Sequence, residues 1–252
     1  MKLEAGYKTD KGRQRSHNED VYLVMTPQDI FAVADGVGGS NAGEIASSSA
    51  LQVAEAFFTE MPPQKDDDED QLGYLFRRCV DRINQRVVEM AKATPERKGM
   101  ACTLLLAYVT PRDAYFVNVG DSRGYIYRGG SLFKITEDHS YVNKLVSMGV
   151  LTRDEAEAQE DNHVITRAIG ANTRIAADYY RTGIVPGDVL LLCTDGLYNE
   201  LSEETIAGFI KKDPPMQQLA DTLVEAANES GGRDNITAVC IKVIGKDEEN
   251  GQ

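Results

Sequence analysis

The sequence predicts an α+β fold, in which helices pack against antiparallel β-sheet. Short apolar stretches punctuated by Gly, Asp and Pro occur in groups, which is typical of antiparallel meanders. Longer stretches repeat their apolar residues with the period of a helix and stand in separate blocks. Neither a repeat of fixed period nor a Pro/Gly/Ser-rich linker divides the chain, so we expect one domain over residues 1–245 and a polar tail over 246–252.

The first part of the chain is predicted to form two paired strands and two amphipathic helices. The apolar runs 21–25 and 30–34 are short enough for strands. In 43–58 and 72–93 the apolar residues return every three or four positions, which places them on one face of a helix. The acidic run Asp66–Asp70 lacks the glycine and the distal glutamate of a calcium loop, so we interpret it as a solvated loop.

The rest of the chain is predicted to alternate between strands and helices. Residues 160–174 show no clear periodicity, and we expect a mobile surface segment there. The remaining expectations are strands over 103–109, 114–119, 125–127, 132–135, 189–193 and 236–243, and helices over 142–148, 152–158 and 216–227.

Charge and cysteine content argue against several classes of function. The chain of 252 residues carries 40 acidic against 27 basic side chains, a net charge of −13, which disfavours binding to nucleic acid or to an anionic membrane surface. With neither an apolar run of membrane-spanning length nor a signal-peptide pattern, we expect a soluble cytoplasmic protein. The cysteines are widely spaced and the histidines are not paired, so we expect reduced, buried thiols and no zinc enzyme.

Aspartates stand at the ends of the predicted strands. Asp35 and Asp195 each follow a buried run and precede a glycine, which permits a sharp turn or the close approach of a ligand. Asp121 follows a third run, and Asp234 stands directly before the last strand. Carboxylates brought together in this way repel one another unless cations neutralise them, and Mg²⁺ and Mn²⁺ prefer such oxygen ligands. The sequence therefore favours a divalent metal site over the alternative that Asp-Gly and Asp-Asn are ordinary turn dipeptides.

Five ordered motifs resemble those of a known family. They are Arg15–Asp20, Phe31–Gly39, Val119–Arg123, Leu192–Leu197 and Gly232–Thr237. In this order and spacing they resemble the metal-dependent serine/threonine protein phosphatases of type 2C, in their short bacterial form. The resemblance covers nearly the whole chain. It implies a four-layer αββα sandwich, with two antiparallel β-sheets packed face to face and flanked by helices.

The resemblance also implies a metal centre that holds two Mn²⁺ or Mg²⁺ ions. By position, Asp35 would bridge both metals, and the carbonyl group of Gly36 would bind one of them. Asp195 and Asp234 would complete the first site. A metal-bridging water would then attack phosphorus directly, without a phospho-enzyme.

The same resemblance assigns the second metal, a third metal and the substrate phosphate. Glu19 and Asp20 would coordinate the second metal directly or through water. Asp121, together with Asp195, matches a third and weaker metal site. Arg15 would clamp the substrate phosphate, a role that suits a planar guanidinium, whereas an isolated arginine would more often form a surface salt bridge.

The implied activity is hydrolysis of phosphoserine and phosphothreonine in proteins by a monomeric signalling enzyme that opposes a Ser/Thr kinase. One alternative on the same fold is a non-catalytic phosphoprotein-binding module. Another is a dedicated regulator of one phosphoserine partner. The presence of Asp35, Asp195 and Asp234, the three carboxylates predicted to bind the first metal, favours the enzyme.

The chain departs from the family pattern at the general acid. Val37 and Ser40 stand where relatives carry histidine, which leaves metal-bound water or His163 as the source of the leaving-group proton. The resemblance places His163 in a flap over about residues 139–168, which influences substrate choice and metal exchange. His139 itself is expected to anchor a loop.

Overall fold

The strands form two antiparallel sheets in the computed structural model, which describes residues 1–37, 42–64, 66–152, 155 and 164–245. The strands are β1 Lys2–Asp10, β2 Asp20–Met25, β3 Ile30–Val37, β4 Ala101–Cys102, β5 Leu104–Val109, β6 Asp113–Val119, β7 Arg123–Arg128, β8 Ser131–Lys134, β9 Asp178–Gly183, β10 Val189–Cys193 and β11 Ile236–Ile244. The helices within the described ranges are α1 Ala42–Glu60, α2 Glu69–Ala93, α3 Tyr141–Ser147, α4 Asp195–Tyr198, α5 Glu203–Ile210 and α6 Met216–Ser230.

The two sheets pack face to face as a sandwich. The first sheet has the order β1-β11-β10-β7-β8, and the second has the order β2-β3-β5-β6-β9, with β4 paired to β3. Because successive side chains of a strand point to opposite faces, each strand contributes one set of side chains to the space between the sheets. The buried cluster in that space joins Phe31, Leu105 and Phe116 of the second sheet to Leu190 and Ile241 of the first.

Helices cover the outer faces and complete four layers. Phe57 of α1 and Ile83 of α2 share a buried cluster with Leu106, which lies on the outer face of the second sheet. Leu223 of α6 shares another with Leu191, on the outer face of the first sheet. The predicted α+β fold and its αββα arrangement are therefore confirmed.

The acidic run before α2 forms the start of that helix. The Asp68 side chain accepts a hydrogen bond from the Gln71 N–H at 2.9 Å, and the Gln71 side chain accepts one from the Asp68 N–H at 2.8 Å. Glu69 and Asp70 lie in the first turn, where the helix dipole favours negative charge. The interpretation of Asp66–Asp70 as a solvated loop is therefore wrong for its second half.

Three strands, β1, β4 and β9, and two short helices, α4 and α5, were not predicted. β1 and β9 lie at sheet edges and leave most of their residues exposed or half-buried, so few apolar side chains mark them as strands. The helix α5 is only eight residues long. β3 continues beyond its predicted end at Ala34, because Gly36 and Val37 pair with β4.

The segment after residue 163 is not purely a surface segment, contrary to the prediction for 160–174. Ala168 and Ile169 are buried, and Ile169 exchanges two backbone hydrogen bonds with Cys102. Apart from Thr152 and Glu155, the predicted helix over 152–158 lies outside the described residues, as does the predicted tail over 246–252. All cysteines are buried free thiols, as expected. Across the described ranges, no helix has both the length and the apolar character needed to cross a membrane.

Candidate metal centre

Five aspartates are positioned by the central strands. Asp20 on β2 lies directly opposite Asp35 on β3 in the strand register. Asp121 stands in the turn after β6, Asp195 is the first residue of α4, and Asp234 directly precedes β11. Each carboxylate is therefore held by backbone that belongs to, or borders, a regular element.

The five carboxylates, which we call the aspartate cluster, lie close enough to perturb one another. Burial raises the pKa of Asp35 well above its usual value, and the charges of the other four aspartates add to the effect. Burial also raises the pKa of Asp20 to about 7, with a contribution from the charges of Asp195 and Asp234. Burial and the charge of Asp195 raise the pKa of Asp121 to about 7. Such a concentration of negative charge favours the binding of a cation.

The Asp20 carboxylate is held by two threonines and keeps one oxygen for a ligand. Its Oδ2 accepts hydrogen bonds from the hydroxyl groups of Thr194 and Thr237, both at 2.8 Å. Its Oδ1 is buried and has no hydrogen-bond partner among the described residues. A buried carboxylate oxygen in this state is unfavourable unless water or an ion satisfies it. The donor set therefore fits a hard divalent cation such as Mn²⁺ or Mg²⁺.

Protein donors engage two further carboxylates of the cluster, those of Asp195 and Asp234. Arg15 Nη2 donates to Asp234 Oδ2 at 2.6 Å, and Asn199 Nδ2 donates to Asp195 Oδ2 at 3.3 Å. In the described part of the chain, no group of three Asp, Glu, His or Cys side chains lies close enough together to hold a metal ion. Arg15 forms a salt bridge, as the alternative interpretation of this residue predicted. Its partner is Asp234, which is also a predicted metal ligand. This contact places the half-exposed guanidinium at the edge of the aspartate cluster.

The glycines after Asp35 and Asp195 serve close backbone contact, and neither has the positive φ of a glycine turn. A Cβ on Gly36 would lie 2.4 Å from the carbonyl carbon of Gly43 in α1. A Cβ on Gly196 would lie 2.0 Å from the carbonyl oxygen of Asn235. Both contacts are closer than any side chain allows, so the glycines let α1 and the start of β11 approach the aspartates.

Asn235 joins the segment before β2 to the start of β11. Its Oδ1 accepts a hydrogen bond from the Glu19 backbone N–H at 2.8 Å. Its Nδ2 donates to the carbonyl oxygens of Lys11 and His17 at 2.9 and 2.8 Å. The buried amide therefore fixes Glu19 beside Asp234. Nothing in the sequence assigned this role, and the only signal was the place of Asn235 within the last motif.

Two further links hold the turn that carries Asp121. Thr103 Oγ1 accepts the Asp35 backbone N–H at 2.9 Å and lies 2.8 Å from the hydroxyl oxygen of Ser122. The Tyr198 hydroxyl, at the end of α4, donates to the carbonyl oxygen of Asp121 at 3.1 Å. These contacts tie the turn both to β3 and to the helix that begins at Asp195, and the sequence did not reveal them.

Glu19 lies against the start of α1. A Cβ on Gly43 would come within 2.2 Å of Glu19 Oε2. Burial raises the pKa of Glu19, and the positive charge of Arg15 opposes the shift. Ser40 and His163 both lie outside the described residues.

The expectation that His139 anchors a loop is confirmed. Its Nδ1 accepts the Gly120 backbone N–H at 3.1 Å, and its Nε2 lies 3.0 Å from Asp178 Oδ2. Because Nδ1 is an acceptor, the ring carries its proton on Nε2 and donates it to Asp178. Burial lowers the pKa of His139, which agrees with a neutral ring. His139 thus fixes the residue before Asp121.

Comparison with known proteins supports the same interpretation. A sequence profile described as protein phosphatase 2C matches residues 9–239. The serine/threonine phosphatase stp of Listeria welshimeri is 32% identical over 243 residues, which are 95% of this chain and 96% of that protein.

Solved structures of serine/threonine phosphatases share the fold. The crystal structure of PstP/Ppp from Mycobacterium tuberculosis matches with a TM-score of 0.86 at 31% identity, covering 97% of this chain and 100% of that chain. The catalytic domain of PstP, crystallised in complex with 2 manganese ions, matches with a TM-score of 0.81 at 32% identity. The match covers 96% of this chain and 99% of that chain. Matched in sequence and in fold over nearly its whole length, the chain belongs to the protein phosphatase 2C family.

Proposed function

We propose that the aspartate cluster is the catalytic centre of this metal-dependent protein serine/threonine phosphatase, contained in one domain over residues 1–245. The observation that supports the site most directly is the buried Asp20 Oδ1, which has no partner among the described residues. It lies in the strand opposite Asp35, whose pKa is raised by burial and by four neighbouring carboxylates. The enzyme hydrolyses phosphoserine and phosphothreonine in proteins, as its relatives' names indicate.

Two Mn²⁺ or Mg²⁺ ions would be held by the cluster. Asp35, Asp195 and Asp234 would bind the first ion, Asp35 would also bind the second, and the carbonyl oxygen of Gly36 would bind one of the two. When bound, such ions act as Lewis acids and lower the pKa of a coordinated water. The remaining ligands would be Glu19 and Asp20 at the second ion, and Asp121 with Asp195 at a third.

Arg15 would bind the substrate phosphate. Its guanidinium is half exposed, and one of its five N–H donors is used by Asp234, so the others are available to phosphate oxygens. The contact with Asp234 keeps the guanidinium at the edge of the cluster before substrate arrives. His139 is not available as the proton donor, because both ring nitrogens are engaged.

The substrates of the enzyme are phosphoproteins. The enzyme would oppose a cognate Ser/Thr kinase, act as a monomer and work in the cytoplasm. The strongly acidic composition argues against nucleic acid or an anionic membrane as a partner.

Phosphate release from a phosphothreonine peptide tests the proposal. Mn²⁺ is titrated into chelator-treated wild-type protein, into Asp195→Asn and into Asp213→Asn, a matched change at an exposed aspartate that pairs with Lys242. We expect metal-dependent release by the wild type and by Asp213→Asn, and a loss of orders of magnitude in Asp195→Asn. Folded wild-type protein that releases no phosphate at any metal concentration would instead support a phosphoprotein-binding module.

A further inference from the structure

A strip of positive charge borders the aspartate cluster. Residues 11–17 contain three basic side chains and no acidic one, in a chain whose net charge is −13. Arg15 is engaged with Asp234. Lys11 and Arg13 are exposed, and their side chains form no hydrogen bond or ion pair with any described residue. We call Lys11, Arg13 and Arg15 the basic strip.

The backbone of the basic strip is fixed to the loop that carries Asp234. The N–H groups of Arg13 and Gln14 both donate to the carbonyl oxygen of Gly232, at 2.7 and 3.2 Å. Gly12 has a φ of +79°, and a Cβ there would lie 2.1 Å from the carbonyl oxygen of Asp234. Only glycine permits this approach. The backbone of the strip is therefore fixed before substrate binds, which reduces the entropy lost on binding.

Two acidic side chains near the strip are already engaged. Asp10 accepts hydrogen bonds from the Gly12 N–H and from Asn228 Nδ2, at 2.9 and 3.1 Å. Glu200 is paired with Arg233 at 2.9 Å. The charges of Lys11 and Arg13 thus remain available to an anion from outside the chain.

We propose that Lys11 and Arg13 bind a second anionic side chain of the substrate, a carboxylate or a phosphate close to the phosphoresidue that is hydrolysed. Arg13 lies two positions from Arg15, so their Cα atoms are at most about 7 Å apart. Two residues of an extended peptide span the same length, which places the second anion about two positions from the phosphoresidue. This site rests on the proposed function, because Arg15 and the aspartate cluster must first hold the reacting phosphate.

Matched peptides test the site with the Mn²⁺-loaded full chain. Each contains one phosphothreonine and, two positions before or after it, Gln, Glu or a non-hydrolysable phosphonate analogue of phosphoserine. We expect kcat/KM to be about five- to tenfold higher for an anionic peptide than for the Gln peptide, the effect of one or two exposed ion pairs. The advantage should decrease in 0.5 M NaCl, since salt screens exposed charges. A larger effect of the phosphonate identifies phosphate as the second anion, and a larger effect of Glu identifies a carboxylate.

Charge variants show whether the strip causes the preference. In the double variant Lys11→Gln/Arg13→Gln the ratio between anionic and Gln peptides should fall to about one, and Arg13→Glu should reverse it. Arg86→Gln, at an exposed cation of α2, should retain the wild-type ratio. Equal values for all peptides with the wild type, or a preference that survives the double variant, would overturn the inference while leaving the phosphatase function intact. Failure to hydrolyse any of the peptides would contradict the proposed function itself.

Discussion

Replacing Asn235 with alanine tests whether this amide holds the metal centre together. The change removes three hydrogen bonds of 2.8, 2.9 and 2.8 Å from a side chain that is 5% exposed. At about 1 kcal/mol for each bond, the free energy of unfolding should fall by about 3 kcal/mol. In a domain of this size the change corresponds to a Tm lower by about 6–12 °C.

The activity of Asn235→Ala should respond as well. Asn235 holds the Glu19 N–H, and Glu19 and Asp20 are proposed ligands of the second metal. Loss of such an outer contact typically weakens metal binding by about 10- to 100-fold, so half-maximal activity should need at least about tenfold more Mn²⁺. Thermal unfolding of chelator-treated protein gives the Tm. Titration of Mn²⁺ in the phosphate-release assay gives the Mn²⁺ concentration needed for half-maximal activity.

A matched asparagine in α3 separates local from general effects. The side chain of Asn143 donates a single hydrogen bond, to the Asp138 carbonyl oxygen at 3.0 Å. Asn143→Ala should therefore lower the Tm by only about 2–4 °C and leave the Mn²⁺ requirement unchanged. If Asn235→Ala behaved like this control in both assays, the assigned role of Asn235 would be refuted.

The remaining predictions concern substrate binding, pH and backbone strain. Arg15→Ala should mainly raise the KM for a phosphothreonine peptide in steady-state kinetics, because a ground-state phosphate contact is lost. In chelator-treated protein the pKa values of Asp20 and Asp121 are raised to about 7, so between pH 4 and 7 the folded state holds protons that the unfolded state releases. The Tm of the chelator-treated protein should therefore fall as pH rises through this range, and addition of Mn²⁺ should raise the Tm again. Gly12→Ala should lower the free energy of unfolding by about 2 kcal/mol or more in urea denaturation, because φ is +79° and the new Cβ would meet the Asp234 carbonyl oxygen.

Each of these expectations has a clear contrary result. An Arg15→Ala enzyme with normal KM and reduced kcat would place the guanidinium in the transition state alone. A Tm of chelated protein that rises between pH 4 and 7 would contradict the raised pKa values. For the glycine, the control is Gly73→Ala in α2, where a Cβ meets nothing within 4 Å and should stabilise the helix by about 0.5–1 kcal/mol. If Gly12→Ala and Gly73→Ala changed the free energy of unfolding by the same amount, the predicted backbone strain at residue 12 would be refuted.

Elements with a buried face were predictable from the sequence, and those at sheet edges were not. The helix α2 and the strand β10 bury long apolar stripes, so their periodicity is visible in the sequence. β1 and β9 each have a neighbour on one side only and carry polar residues that solvate the free edge. Their pairing depends on distant partners, which local composition does not encode.

The aspartates of the site were predictable because each follows or precedes an apolar strand. The contacts that hold them were not, since Asn235 and Lys11 are 224 positions apart in the chain. The glycine after Asp35 was interpreted as permitting a sharp turn or the close approach of a ligand, and the sequence did not reveal that Gly36 lies against the backbone of Gly43 in α1. Sequence patterns thus located the reactive groups, whereas the hydrogen-bonded frame required the fold.

The pairing of β1 with β11 has a consequence for synthesis of the enzyme. Lys2 lies opposite Ile244 and Asp10 opposite Ile236, so β1 has no partner on the ribosome until β11 has been synthesised. At about 5–20 residues per second, that interval is roughly 10–50 s. Asp234 and the loop that fixes the basic strip are synthesised directly before β11. A nascent chain would therefore carry no phosphatase activity until β11 has been synthesised, and the polar character of β1 would limit aggregation of the unpaired strand.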